Sequence, residues 1–63
     1  MRYLEITEIN TGKKHYRKIN FNGSITFRVE GRAIVIRNYN TGEKLQRFNI
    51  ASYGSIQFRV IYK

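Results

Sequence analysis

The sequence predicts a small all-β protein of six short antiparallel strands, a meander or barrel built from two copies of a three-stranded unit. Three observations predict this fold class. Apolar and polar residues alternate with a period of two, and no segment has a helical period. Clusters of Asn, Thr and Gly, which are typical of turns, separate the alternating segments. One heptapeptide occurs twice within only 63 residues, with a single difference, Thr26 against Gln57.

The duplication extends beyond that heptapeptide, and two short gaps bring three pairs of blocks into one alignment. The pairs are GSITFRV at 23–29 with GSIQFRV at 54–60, NTGKK at 10–14 with NTGEK at 40–44, and RKINF at 17–21 with QRFNI at 46–50. We therefore expect one domain, 1–63, in which residues 1–30 and 31–63 are two copies of a unit too small to fold alone. Their apolar faces would close one core.

The clearest predicted strands contain the repeated heptapeptide. Ile25, Phe27 and Val29 alternate with polar residues, and the pattern returns from Ile56 to Tyr62, as half-buried strands require. Four more segments rich in β-branched and aromatic residues are predicted as strands: 2–9, 13–20, 33–39 and 43–50. Four aromatic side chains are assigned to the core: Phe27, Phe48, Phe58 and Tyr62.

The turns follow from the glycines. A three-residue loop at 21–23 with Gly23 in the left-handed conformation would place Asn20 opposite Ser24. A two-residue Asn-Gly turn would instead move Ile19 to the Arg28 face, and we favour the longer loop. The segments 10–12 and 40–42 fit the same geometry, and 30–32 joins the two halves.

Four consecutive apolar residues at 33–36 break the alternation. They indicate a strand buried on both faces, either a central strand or a second contact surface such as a dimer interface. No Pro interrupts the strands, so exposed edges would remain unless the sheet closes or pairs with another chain. A chain this short without Cys has a small core, which makes a homo-oligomer an open alternative.

Charge is the strongest compositional signal. Twelve Lys and Arg against four Glu give a net charge of +8, more than solubility requires, which indicates a polyanionic partner. No apolar run is long enough to span a membrane, and the first ten residues lack the apolar stretch of a signal peptide. We therefore expect a cytoplasmic protein.

Catalytic and metal-binding patterns are missing from the sequence. It contains neither Cys nor Asp, and its single histidine, His15, lies in a run of cations. Glu5 and Glu8 are three residues apart and face opposite sides of a strand, so they do not form a paired carboxylate site. A zinc site needs three or four ligands, and no glycine-rich phosphate loop is present. We expect a protein that is not an enzyme and has no cofactor.

The basic residues are the candidate binding site. With Phe27 and Val29 pointing inward, Arg28 points outward, and the three-residue loop places Lys18 and Tyr16 on the same outer face. The repeat matches Lys18 with Arg47 and Arg28 with Arg59, which predicts two equivalent cation pairs. The nucleic-acid-binding candidates are Lys13, Lys14, Tyr16, Lys18, Arg28, Arg32, Arg37, Arg47 and Arg59. Base stacking and plain packing both remain open for Tyr16 and Tyr39.

In size, charge and predicted strand content, the chain resembles the SH3-like and OB-like modules that bind DNA or RNA. That resemblance implies nucleic-acid binding but assigns no residues. Very short, basic chains rich in Tyr and Asn also resemble phage proteins that interfere with host machinery.

Two functions follow as expectations. The first is a nucleic-acid-binding module with little sequence specificity, since no recognition helix is predicted; DNA or RNA, single- or double-stranded, stays open. The alternative is an interaction module or inhibitor, possibly phage-encoded, that blocks an acidic or nucleic-acid-binding surface of a larger protein. Capture of small anionic nucleotides is a third possibility.

Overall fold

A computed structural model describes all residues, Met1–Lys63, and confirms the all-β class. The six strands are β1 (Arg2–Glu8), β2 (Lys14–Ile19), β3 (Ile25–Glu30), β4 (Ala33–Asn38), β5 (Lys44–Asn49) and β6 (Ile56–Tyr62). They form two three-stranded antiparallel sheets, with orders β2-β1-β6 and β3-β4-β5, and barrel closure is not found. The structure contains no helix that could cross a membrane.

The chain divides into two compact units. The first unit comprises Met1–Asn20 and Tyr53–Lys63 and holds the sheet in which β1 is central. The second unit comprises Phe21–Ser52 and holds the sheet in which β4 is central. In both sheets the central strand pairs on one side with the strand that comes next in the chain. Its other neighbour is β6 in the first unit and β3 in the second.

The predicted hairpin at 21–23 is wrong, because β2 and β3 belong to different sheets. Asn20 is therefore not paired with Ser24, whose carbonyl accepts a hydrogen bond from the Tyr39 amide. Gly23 does not have the left-handed conformation either. A Cβ at Gly23 would stand 2.6 Å from the Phe21 ring, so close packing of the ring, not a positive φ, accounts for this glycine. The left-handed conformation expected for the two NTG turns is present, at Gly12 and Gly42.

The two sheets have matching registers with one interruption. Glu5 pairs with Tyr16 and Arg59 in the first unit, and Val35 occupies the same place in the second unit, between Arg47 and Arg28. The register of β4 and β5 shifts between Ile36 and Arg37, which leaves Leu45 as an extra residue. That residues 1–30 and 31–63 are two copies within one domain stays a prediction.

This bulge corrects the alignment made from the sequence. The two gaps matched Lys18 with Arg47, whereas the strand registers match Tyr16 with Arg47. The heptapeptide match of Arg28 with Arg59 is retained. The registers of the two sheets therefore match apart from one inserted residue, Leu45. The sequence alignment of RKINF with QRFNI does not follow these registers.

The central strands supply most of the core. In the first unit Leu4 and Ile6 are fully buried on one face of β1, and Ile19 lies on the same face. In the second unit all four residues of the apolar run at 33–36 are buried. The prediction of a central strand there is confirmed, since β4 has a hydrogen-bonded neighbour on each side.

Three side chains assigned to the core from sequence are exposed instead. Phe27, Val29 and Tyr62 retain 38%, 48% and 74% of their accessible surface. Phe48 and Phe58 are half-buried. The physical reason is position within the sheet: β3 and β6 are edge strands, so their side chains have sheet neighbours on only one side. The alternation of apolar and polar residues predicts which face a side chain lies on, but it does not predict whether its strand is central or at an edge of the sheet.

We expect Ile34→Ala to destabilise the protein by about 2 to 5 kcal/mol, because it leaves a cavity in the fully buried centre of β4. The matched control is Ile9→Ala, since Ile9 is exposed and should cost well under 1 kcal/mol. Urea denaturation followed by circular dichroism measures both changes. Equal losses in the two variants would contradict the placement of Ile34.

Candidate functional site

One face of the second unit carries two exposed arginines around a buried valine. Val35 on β4 pairs with Arg28 of β3 on one side and with Arg47 of β5 on the other, so all three side chains point to the same face. Val35 retains only 2% of its accessible surface, which the aliphatic stems of two flanking arginines readily explain. Neither arginine makes a side-chain hydrogen bond or ion pair, and both are exposed.

The acid on this face is already neutralised. Arg37 donates from Nε and Nη2 to the Glu30 carboxylate at 3.4 Å, and from Nη1 to the Gly42 carbonyl at 3.1 Å. The hydrogen bond from Arg37 holds the pKa of Glu30 below its ordinary value, although burial opposes this. Arg37, a predicted phosphate contact, is therefore committed to a carboxylate and a turn. The charges of Arg28 and Lys44 also lower the pKa of Glu30, less than the hydrogen bond from Arg37 does.

Lys44 is a cation of this face that the sequence analysis missed. It is exposed and pairs with Arg37 in the register of β4 and β5, which places its side chain beside the arginines. Its counterpart Lys14 was a candidate, and the NTGKK and NTGEK blocks align the two lysines. The signal that would have found Lys44 was thus present in the repeat.

The corresponding face of the first unit has a carboxylate at its centre. Glu5 is buried between β2 and β6, accepts a hydrogen bond from Arg59 Nε at 2.8 Å and one from the Tyr16 hydroxyl at 3.2 Å, and lies 3.7 Å from Lys14 Nζ. The hydrogen bond from Arg59 is the main reason that the pKa of Glu5 is lowered, against the opposing effect of burial. Arg59 is thus held by an acid while its side chain stays 71% exposed.

Both the hydroxyl and the ring of Tyr16, which was predicted as a possible stacking ring for a base, already have contacts within the protein. Its hydroxyl binds Glu5, and Lys63 Nζ lies 4.2 Å from the ring centroid, which is cation–π geometry. Burial and the Glu5 hydrogen bond raise the pKa of Tyr16.

Beside these residues a groove of about 590 Å³ is lined by Glu5, Thr7, Lys14, Gln57 and Arg59. Its charge is mixed, which makes it a poorer anion site than the Val35 face.

The two predicted cation pairs are not formed as expected. Lys18 and Arg28 belong to different sheets, and so do Arg47 and Arg59. The structure instead joins Arg28 with Arg47 across Val35, and groups Lys18 with Tyr16 and Arg59 on one face. The cause is the pairing of β6 with β1, which the sequence did not reveal. Lys13 and Arg32 are exposed and lie outside the strands; the predicted strand 13–20 had included Lys13.

The other face of the first unit holds the single histidine in a stack. His15 Nε2 lies 2.5 Å from a Glu8 carboxylate oxygen, and the imidazole stacks on Tyr53 with ring centroids 4.2 Å apart. Arg17 Nη2 donates to the Tyr53 hydroxyl at 2.8 Å. These contacts join β1 and β2 to residues before β6. No group of three or more His, Cys, Asp or Glu side chains is placed to hold a metal ion.

Comparison with protein-family models, with curated proteins and with solved structures found no match for this chain.

We expect the stability contributed by Glu5 to depend on pH. Because its folded pKa is lowered, its contribution is present above the ordinary value of 4.5 and is lost as the pH falls through the folded pKa. Glu5→Gln should therefore be less stable than the wild type at neutral pH, and the gap should shrink under acid. Urea denaturation over a pH series measures this gap.

Glu43→Gln is the control for this pH series, because the Glu43 side chain makes no hydrogen bond or ion pair. Its difference from the wild type should stay nearly constant with pH. A gap for Glu5→Gln that is unchanged or larger in acid would show that Arg59 does not stabilise the carboxylate.

Proposed function

We propose that this protein is a non-enzymatic nucleic-acid-binding module that contacts phosphates through the Val35 face of the second unit, with little sequence specificity. The observation that carries the proposal is the pair Arg28 and Arg47, which are exposed on either side of buried Val35 and make no side-chain hydrogen bond or ion pair. Lys44 adds a third exposed cation to the same face.

The distribution of acids supports a polyanionic ligand. Of the four Glu, Glu5, Glu8 and Glu30 are each held by a basic or histidine side chain. The remaining cations greatly outnumber the remaining acid, Glu43, so the surface attracts anions. A guanidinium presents a planar fork of donors that matches a phosphate, which favours arginine at such positions.

The geometry of the face fits a nucleic-acid backbone. Arg28 and Arg47 lie on strands separated by one central strand, so their backbones are roughly 10 Å apart. Long side chains from these positions can reach neighbouring phosphates of one strand. Because both arginines are on paired strands, not loops, their backbones are fixed before the ligand arrives, which lowers the ordering cost of binding.

Little sequence specificity is expected because the structure offers no helix for the major groove. Contacts to phosphate fix position without reading bases. Exposed Tyr39, which follows β4, offers a ring for base stacking, a contact that tolerates any base. This ring favours single strands, whose bases are accessible.

The test is a fluorescence anisotropy titration with labelled single- and double-stranded DNA and RNA of equal length at two salt concentrations. We expect affinity to fall steeply with salt. Arg28→Ala and Arg47→Ala should each weaken binding to all sequences and reduce the salt slope by about 1, as loss of one phosphate contact requires.

Arg17→Ala is the matched control, since it removes the same charge from the first unit. There Arg17 lies on the face of the sheet that is opposite Glu5 and binds Tyr53. It should change the affinity much less than either substitution on the Val35 face. Equal losses for all three variants would show that only net charge matters. No binding at low salt would overturn the proposal and leave an acidic protein partner as the alternative.

Tyr39→Ala separates the single-stranded from the double-stranded interpretation. If Tyr39 stacks on a base, the substitution should cost about 1 to 3 kcal/mol in single-strand affinity. Binding of duplexes of the same length should be nearly unchanged, because their bases are already stacked. Equal titration curves of wild type and variant on single strands would remove the stacking role.

A further inference from the structure

The groove of the first unit contains an arginine that a buried carboxylate holds in position. Arg59 donates from Nε to Glu5 Oε1 at 2.8 Å, and Glu5 retains only 6% of its accessible surface. The two residues are directly opposite each other in the register of β1 and β6, so paired strands fix both backbones. The orientation of the guanidinium is therefore set before any ligand binds.

The outer end of this guanidinium has no partner in the protein. Only Nε of Arg59 makes a hydrogen bond, so Nη1 and Nη2 keep all of their donors. The side chain is 71% exposed and lines the groove of about 590 Å³. That volume lies within the range of small-molecule sites, about 300 to 1,000 Å³. Nη1 and Nη2 together form a planar fork that can donate two parallel hydrogen bonds into the groove.

The charge of the groove favours a neutral pair of acceptors over a phosphate. Glu5 compensates the charge of Arg59, and Lys14 Nζ lies 3.7 Å from the same Glu5 oxygen and 3.2 Å from Thr7 Oγ1. Gln57, which pairs with Thr7, adds an exposed, uncharged amide that makes no hydrogen bond. A phosphate bound at Arg59 would be attracted by Lys14 but repelled by Glu5. A neutral ligand with two adjacent acceptors can use the fork without that repulsion.

We infer that this groove binds the base edge of a guanine, with Arg59 donating from Nη1 and Nη2 to the guanine O6 and N7 atoms. Guanine presents these two acceptors side by side, and arginine is its commonest specific partner. Adenine has an amino donor in place of O6, which would face a guanidinium donor.

The inference rests on the proposed function, because a nucleic acid is the source of the guanine. It adds to that function a preference for guanine in single strands, whose base edges are accessible. The phosphate contacts of Arg28 and Arg47 are the same for every base, so any preference comes from the groove of the first unit.

The test is a nuclear magnetic resonance titration of the ¹⁵N-labelled protein with guanosine, inosine and adenosine monophosphate. The three nucleotides carry the same phosphate, and the first two share the O6 and N7 acceptors. We expect the side-chain Nε signal of Arg59 to shift with guanosine and inosine monophosphate. Their affinities should exceed that of adenosine monophosphate by at least about fivefold, as one bidentate contact to a base provides.

Three variants separate the fork from simple charge. Arg59→Lys keeps the charge but loses the planar fork, and should abolish the difference between guanosine and adenosine monophosphate, followed at the backbone amide of Gln57. Arg28→Lys makes the same change in the second unit and should retain the preference. Glu5→Gln makes the groove more positive, so a site that only attracts phosphate would bind all three nucleotides more tightly. We expect the preference for guanine to fall instead, because Arg59 is held less firmly.

Circular dichroism confirms that each variant is folded. Equal affinities of the wild type for the three nucleotides, or an unchanged preference in folded Arg59→Lys, would overturn the inference. An anisotropy titration with single-stranded oligonucleotides keeps this result distinct from the proposed function. Oligonucleotide binding without a nucleotide preference would overturn only the guanine site. A guanine preference without oligonucleotide binding would overturn only the proposed function and leave the groove as a site for free guanine nucleotides.

Discussion

The antiparallel register around the two central strands determines what each surface of this protein can do. Once β1 and β4 lie in the middle of their sheets, strand alternation assigns every flanking side chain to a face. In the second unit this assignment brings Arg28 and Arg47 to the two sides of Val35. A slip of one residue in either pairing would invert the faces of the flanking strand and separate its arginine from Val35.

The two sheets have matching strand registers but differ in the charge at the centre of one face. Where the second unit has Val35, the first has Glu5, and this exchange decides the state of the neighbouring cations. Around Glu5, the side chains of Arg59, Lys14 and Tyr16 are drawn to a carboxylate, which stabilises the sheet and consumes positive charge. Around Val35, neither Arg28 nor Arg47 is hydrogen-bonded or ion-paired to a carboxylate, although the charge of Arg28 lowers the pKa of Glu30. A duplicated pattern thus gives one face suited to internal pairing and one suited to an external anion.

Local patterns in the sequence were enough to predict the strands, the two left-handed turn glycines and the buried run in β4. They were not enough to predict pairing between distant strands. The sequence around Gly23 resembles a hairpin loop, yet β2 and β3 belong to different sheets, and β3 has β4 as its one strand neighbour. The pairing of β1 with β6, at opposite ends of the chain, leaves no local signal, so the partner of Arg59 was missed. The inserted Leu45 likewise left no local signal, and the alignment matched Arg47 with Lys18 where the strand registers match it with Tyr16.

The central claim is that Arg28 and Arg47 form one anion-binding face across Val35. Nuclear magnetic resonance of the ¹⁵N-labelled protein during titration with a short single-stranded oligonucleotide at low salt tests it most directly. We predict that the side-chain Nε signals of Arg28 and Arg47 shift together with one apparent affinity, while that of Arg17 moves little. Shifts at Arg17 with Arg28 and Arg47 unchanged, or two unrelated affinities for Arg28 and Arg47, would contradict the account.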